Sequence, residues 1–291
     1  MSSQPPSHSQ QPLLQPLRQQ IAEQSARTFS CQFEGQTVWV KRAEYHASPR
    51  WRWLASCIAR ISNNPLYIPT QAPAGVVAIQ EEAKRLQHLS DLGVPVPKLI
   101  AAEADWIALA DAGPSLKQWL LSPDCSEQEK STILLAAAKA LADLHQAGRW
   151  HGRPALRDMA WDGERICFLD FEEDPAKVLT NEQCQIRDVL VFIHGLYRYL
   201  PADSSLITQA ILCYKTHAPQ HIWQQSVQLV DRMWVLYRLV HLLSPIAGKD
   251  VRQAYFMLRY LRSPEARRRS RLRWLLLTTL GLCFTLANHI D

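Results

Sequence analysis

Residues 144–175, LHQAGRWHGRPALRDMAWDGERICFLDFEEDP, constrain the fold more than any other part of the chain. A helix closes in Leu144-His145-x-x-Gly148, a loop comes next around His151-Gly152, and two short strands flank a turn at Asp162-Gly163. The second strand ends in Leu169-Asp170-Phe171 and runs into Glu172-Glu173-Asp174. Taken alone, this could be a β-hairpin with an acidic patch and a loop histidine. Its setting says more: the chain before it is β-rich and the chain after it is helical, the pattern of a two-lobed α+β chain.

Along the chain, order is expected from about Ile21, after a Ser-, Gln- and Pro-rich start that reads as a disordered tail over 1–27. Residues 28–42, TFSCQFEGQTVWVKR, hold two β-favouring runs about a Glu34-Gly35 hairpin turn. Residues 50–61, RWRWLASCIARI, place Trp53, Leu54, Cys57, Ile58 and Ile61 at helical spacing. A helix over 79–92 sets Ala83, Leu86 and Leu89 on one side and stops at Gly93 and the Pro95/Pro97 pair. Two short strands within 98–110 complete an N-lobe over 28–110. A helical C-lobe is expected over 111–262, with helices at 127–146, 183–199, 203–217, 221–243 and 249–261.

The net charge is +5, yet residues 259–273 alone hold seven Arg and one Glu, so the basicity belongs to one segment. That argues against a general nucleic-acid-binding surface. Seven cysteines (Cys31, Cys57, Cys125, Cys167, Cys184, Cys213, Cys283) are scattered with no C-x-x-C pair, which speaks against a disulfide framework or a zinc site. The N-terminus lacks the basic and apolar regions of a secretory signal.

The 144–175 stretch resembles the catalytic and metal-binding loops of protein kinases and of their aminoglycoside and sugar phosphotransferase relatives. Those families read H-x-D-x-x-x-x-N, then a strand and D-F-G or I-D-F. The resemblance is nearest to the bacterial lipopolysaccharide (Kdo/heptose) kinase-like family, in which an E-A-x-x-L helix precedes G-V-P-V-P. Here Glu82-Ala83-Lys84-Arg85-Leu86 precedes Gly93-Val94-Pro95-Val96-Pro97.

The resemblance implies a protein-kinase-like fold that binds ATP and Mg²⁺. It gives Lys41, at the end of an N-lobe strand, to the phosphates, with Glu82 as its partner and Glu81 as the fallback. It gives Asp158 and Asp170 to the metal, and backbone groups of Ala110 and Ala112 to the adenine. His151 would buttress the Asp170 loop, and Asp188 would hold the His151 loop through backbone amides. His145 reads as a packed core residue.

Two departures stand out. No G-x-G-x-x-G covers the phosphates, and the acceptor-orienting Asp falls at Arg153, which cannot accept a proton. Either another carboxylate takes that role, with Glu172 and Glu173 as candidates, or positioning suffices, or the chain is a pseudokinase.

The C-terminal residues 263–291 are basic and then apolar; 272–287 carry one charge, Arg273. A C-terminal hydrophobic helix there would span a membrane, lie in its interface with Trp274 at headgroup level, or dock on the C-lobe. Arg50, Trp51, Arg52, Trp53 and Arg60 make a second basic-aromatic surface or one packed helix.

The expected function is therefore an ATP- and Mg²⁺-dependent kinase for an anionic glycolipid or sugar acceptor, at the cytoplasmic side of a bacterial inner membrane. Its rivals are a membrane-associated pseudokinase and an α+β interaction protein.

Overall fold

The structure, a computed structural model, describes residues 14–44, 75–246 and 248–268. The helix expected at 50–61, with its Arg and Trp residues, lies outside the described residues. So does the apolar run expected to form a C-terminal hydrophobic helix. The chain divides into two compact units, Met1–Gly113 with Cys167–Asp174, and Pro114–Ile166 with Pro175–Asp291. The Asp170 loop thus belongs to the first unit, although the sequence places it within the helical lobe.

In the first unit, β1 (Thr28–Phe33) and β2 (Gln36–Arg42) form an antiparallel hairpin closed by Glu34 and Gly35. Both loop residues have positive φ, 50° and 75°, the conformation whose twist matches that of the flanking strands. With β3 (Leu99–Ala102) and β4 (Trp106–Ala110) they make one antiparallel sheet in the order β1-β2-β4-β3.

Alternation along the strands gives this sheet two faces. Val38 and Val40 of β2, with Trp106 and Ala108 of β4, enter a core closed by Leu17 and Ile21 of α1 (Gln15–Glu23). Lys41 and Ile107 are register partners one residue out of phase, so they belong to the opposite face. Helix α2 (Val76–Asp91) packs against β3 and β4, and its Glu82 reaches Lys41.

Helix α1 occupies part of the stretch whose composition reads as a tail. Leu14, Leu17 and Ile21 recur at helical spacing with Pro16 in the first turn, a short signal inside a Gln-rich context. Leu17 is fully buried and Ile21 nearly so. Leu17→Ala is expected to lower unfolding free energy by about 2–3 kcal/mol, read as a lower urea midpoint. A residue in an undocked tail would give no shift.

The second unit is helical. Helices α3 (Leu116–Leu121) and α4 (Glu127–Gln146) each open with a capping box, Ser115 with Gln118 and Ser126 with Glu129. After the short strands β5 (Met159–Trp161) and β6 (Ile166–Phe168), α5 (Asn181–Tyr199) opens with a third, Thr180 with Gln183. Helix α6 (Ser205–His217) packs along α4.

The single helix expected at 221–243 is two, α7 (Gln220–Arg232) and α8 (Trp234–Leu243), broken at Met233. No Gly or Pro marks the break. Arg262 donates to the Val230 and Asp231 carbonyls at 3.2 and 3.1 Å, a long-range partner for the end of α7. Helices α9 (Lys249–Leu261) and α10 (Pro264–Arg267) complete the described chain. Among the described residues, no helix is long and apolar enough to cross a membrane.

Candidate active site

The first unit gathers charge around one ammonium. Lys41 Nζ lies 2.9 Å from Glu82 Oε2, 2.8 Å from Asp170 Oδ1 and 2.9 Å from Glu172 Oε1. The four residues come from three parts of the chain: Lys41 from the end of β2, Glu82 from the buried side of α2, and the other two from the turn after β6. Glu172 also pairs with Arg27, whose guanidinium reaches Glu44 at 3.3 Å.

Burial works against the Lys41 ammonium, but Glu82, Asp170 and Glu172 outweigh it and raise its pKa well above the ordinary lysine value. Lys41 is therefore a fixed cation at any physiological pH. Burial pushes the Glu82 carboxyl up, against the opposing pull of Lys41.

The Asp170 turn is held from both sides. Glu82 Oε1 accepts the Phe171 backbone N–H at 3.2 Å, so one carboxylate grips both the lysine and the turn. Arg85, one helical turn on, donates to the Glu173 carbonyl at 2.6 Å and lies 5.0 Å over the Phe171 ring. Asp170 itself has φ 62°, a left-handed conformation that Asp tolerates but that costs free energy and clusters at functional sites.

In the second unit, Asp188 is fully buried and accepts the backbone N–H of His151 at 2.6 Å and of Gly152 at 2.8 Å. Its Oδ2 also lies 3.4 Å from His145 Nε2, and His145 Nδ1 lies 2.6 Å from the Tyr214 hydroxyl. The His151 loop is thus tied to α5 through its amides, which is the task that the resemblance assigns to Asp188. Asp188→Ala would strand two buried donors and is expected to destabilise the protein by about 3 kcal/mol. Asp188→Asn, which keeps one acceptor, should lose about half of that in the same denaturation measurement.

Arg153 and Arg157 sit on either side of Asp158, each Nε at 3.4 Å from one of its carboxylate oxygens. His151 Nδ1 accepts the Arg153 backbone N–H at 3.2 Å. Of the sequence-predicted residues, the structure brings Lys41, Glu82 and Asp170 together in the first unit, and His151, Arg153 and Asp158 share the loop of the second. Ala110 ends β4 with its N–H donated to the Lys98 carbonyl, and Ala112 lies in the connection to α3.

Residues 18–203 match the sequence profile of the phosphotransferase enzyme family (APH). The chain belongs to that family. An uncharacterized protein of Haemophilus influenzae is 31% identical to this phosphotransferase over 230 residues, 79% of this chain and 87% of its own. The crystal structure of an aminoglycoside-3'-phosphotransferase of type VIII aligns with 88% of this chain and 100% of its own, at 11% identity and a TM-score of 0.46. Family membership makes the chain a kinase, built from a small antiparallel sheet lobe and a helical lobe. It also implies ATP as the phosphoryl donor, together with Mg²⁺.

The donor set fits such a cation. Among the described residues, no group of three or more His, Cys, Asp or Glu side chains is arranged to hold a metal unaided. Magnesium, however, takes one or two carboxylates and completes its shell with phosphate oxygens and water. Around Lys41, carboxylates outnumber cations, and the Asp170 side chain is a quarter exposed.

Sequence reasoning gave Glu172 a different part, as a stand-in for the acceptor-orienting Asp. The structure instead binds it to Lys41 and Arg27. Arg27 and Arg157 escaped notice altogether. A solitary Arg before a strand carries no local signal, and Arg157 is legible only as the residue preceding Asp158.

Proposed function

We propose that this phosphotransferase is a kinase of the lipopolysaccharide or sugar type, working on an anionic glycolipid or sugar at the cytoplasmic face of a bacterial inner membrane. The observation that carries the kinase chemistry is the meeting of Lys41, Glu82 and Asp170. A permanent cation on a strand end, oriented by a buried carboxylate, is what holding a nucleoside triphosphate requires.

In this reading Lys41 binds the α/β-phosphates and Glu82 orients it. Asp170 holds Mg²⁺, which offsets the charge on the transferring phosphoryl group; Asp158 joins it as a ligand on family resemblance alone. His151 and Asp188 keep the loop of Arg153 in shape. Arg153 and Arg157 set two guanidiniums where the family's acceptor loop falls, which suits an acceptor that already carries negative charge. The basic and apolar residues 263–291 make the membrane contact, either spanning or lying on the bilayer.

One observation favours a second reading, a pseudokinase that binds nucleotide or a partner without transfer. Arg153 stands where a proton acceptor is expected.

Melting with ATP and Mg²⁺, and then ATP consumption in the presence of a membrane extract, separates the two. A metal-dependent rise in Tm with consumption is the expected result. A rise without consumption would favour the nucleotide-binding pseudokinase, and no rise under any metal would sink the kinase and leave a protein that binds only a partner.

A further inference from the structure

The turn that presents Asp170 does not hold its shape by backbone preference. Asp170 has φ 62°, and a residue other than glycine stays in that region only where its surroundings fix it there. Before the turn, the Phe168 N–H donates to the Pro95 carbonyl at 2.8 Å. Within it, Lys41 meets the Asp170 carboxylate at 2.8 Å, and Glu82 Oε1 accepts the Phe171 N–H at 3.2 Å. After it, Arg85 donates to the Glu173 carbonyl at 2.6 Å and covers the Phe171 ring at 5.0 Å. All of these residues belong to the first unit.

These ties differ in what an arriving triphosphate does to them. When the Lys41 ammonium turns to phosphate oxygens, its hold on Asp170 is shared or lost. Glu82 is bound to the same ammonium, with Oε1 3.0 Å from Nζ, so a shift of the lysine disturbs that tie as well. The two contacts of Arg85 end on a backbone carbonyl and a ring, groups that nucleotide binding leaves chemically unchanged. The ring is buried, and a cation over an aromatic face gains most away from water.

Helix α2 gives Arg85 a firm base. Glu82 and Arg85 are three residues apart and so share a face, from which they reach the Phe171 N–H and the Glu173 carbonyl. Leu86 and Leu89, 2% and 6% exposed, seat the helix beneath them. A supporting side chain placed on a packed helix holds its partner more closely than one on a loop.

We infer that Arg85 is a positioning residue for phosphoryl transfer: it keeps Asp170 in its metal-holding conformation once Lys41 is engaged by phosphate. This rests on the kinase reading above and adds to it a residue outside the Lys41 cluster. An arginine that served only the fold would weaken the protein equally with and without metal.

The rise in Tm of the full-length protein with ATP, as Mg²⁺ is titrated, tests the inference, alongside the initial rate of ATP consumption with membrane extract. Arg85→Met keeps an unbranched stem over the ring and removes the donor and the charge. Its ligand-free Tm should fall by no more than about 3 °C. The metal-independent part of the rise should match wild type, while the Mg²⁺ concentration at half of the metal-dependent part should increase about tenfold or more. Arg85→Lys, which keeps a cation but not the planar fork, should lie between the two. In an Asp170→Asn background, Arg85→Met should lower the residual rate no further, because both act through one carboxylate.

A wild-type Mg²⁺ midpoint in Arg85→Met would overturn the inference. So would equal loss of the metal-independent and metal-dependent parts, which would make Arg85 a residue of the fold alone. If Arg85→Met does not fold, Arg85→Lys decides: a raised midpoint upholds the inference and an unchanged one overturns it. Each of these failures leaves the kinase reading standing. A wild-type protein whose Tm does not respond to ATP under any metal would remove that reading, and the role of Arg85 with it.

Discussion

Asp170→Asn is expected to lower the phosphotransfer rate on the order of a thousandfold while leaving the protein folded. The substitution keeps the size of the side chain and its ability to accept from Lys41 at 2.8 Å, but it removes the charge that would hold Mg²⁺. Asn also tolerates the positive φ at this position, so the turn need not change. Two measurements check it: initial rate, and the rise in Tm with ATP as Mg²⁺ is titrated. The metal-dependent part of the rise should vanish and a metal-independent part persist. An Asn variant with wild-type turnover would remove Asp170 from the chemistry.

Lys41→Met should be as severe for activity and, unlike Asp170→Asn, severe for stability. It leaves Glu82, 1% exposed at its side chain, without its cation, a loss of about 3 kcal/mol near neutral pH. The pH dependence has a definite sign. Burial already raises the Glu82 pKa above its ordinary 4.5 with Lys41 in place, and without the ammonium the rise is larger. A group whose folded pKa is raised favours the folded state below its unfolded pKa and loses that contribution as pH rises through the folded value. The deficit of Lys41→Met should therefore shrink as pH falls toward 4.5.

Adding Glu82→Gln should restore much of the stability at neutral pH and none of the turnover. Denaturant midpoints across pH, for both variants, separate the two roles. A deficit independent of pH would show that lost packing, rather than an unpaired carboxylate, is responsible.

The parts of the fold legible from sequence were those with local causes. The Glu34-Gly35 turn is announced by residues that accept positive φ, and α2 by apolar spacing that stops at Gly93. Helix α1 was hidden because its three apolar residues sit among glutamines and prolines, and only docking on the sheet makes them a helix. The break at Met233 was hidden for a similar reason: its Arg262 partner lies 31 and 32 residues away.

At the site, Lys41 and Glu82 were legible through family resemblance, and Asp170 through the Leu-Asp-Phe pattern. The grip of Glu172 on Lys41 was not. Two residues 131 positions apart carry no periodicity that relates them, and an acidic run after a strand usually stays in solvent.

The three carboxylates on Lys41 bear on what an arriving nucleotide has to do. An ammonium has three protons, and here Glu82, Asp170 and Glu172 stand within 3 Å of it. A phosphate can enter only by exchange, and the acids are not equally ready to leave. Glu82 is buried and also grips the Phe171 amide, whereas Glu172 has Arg27 as a second mooring. Under the proposed function, Glu172 would be the acid that gives way to the triphosphate, because Arg27 still holds it once it leaves Lys41.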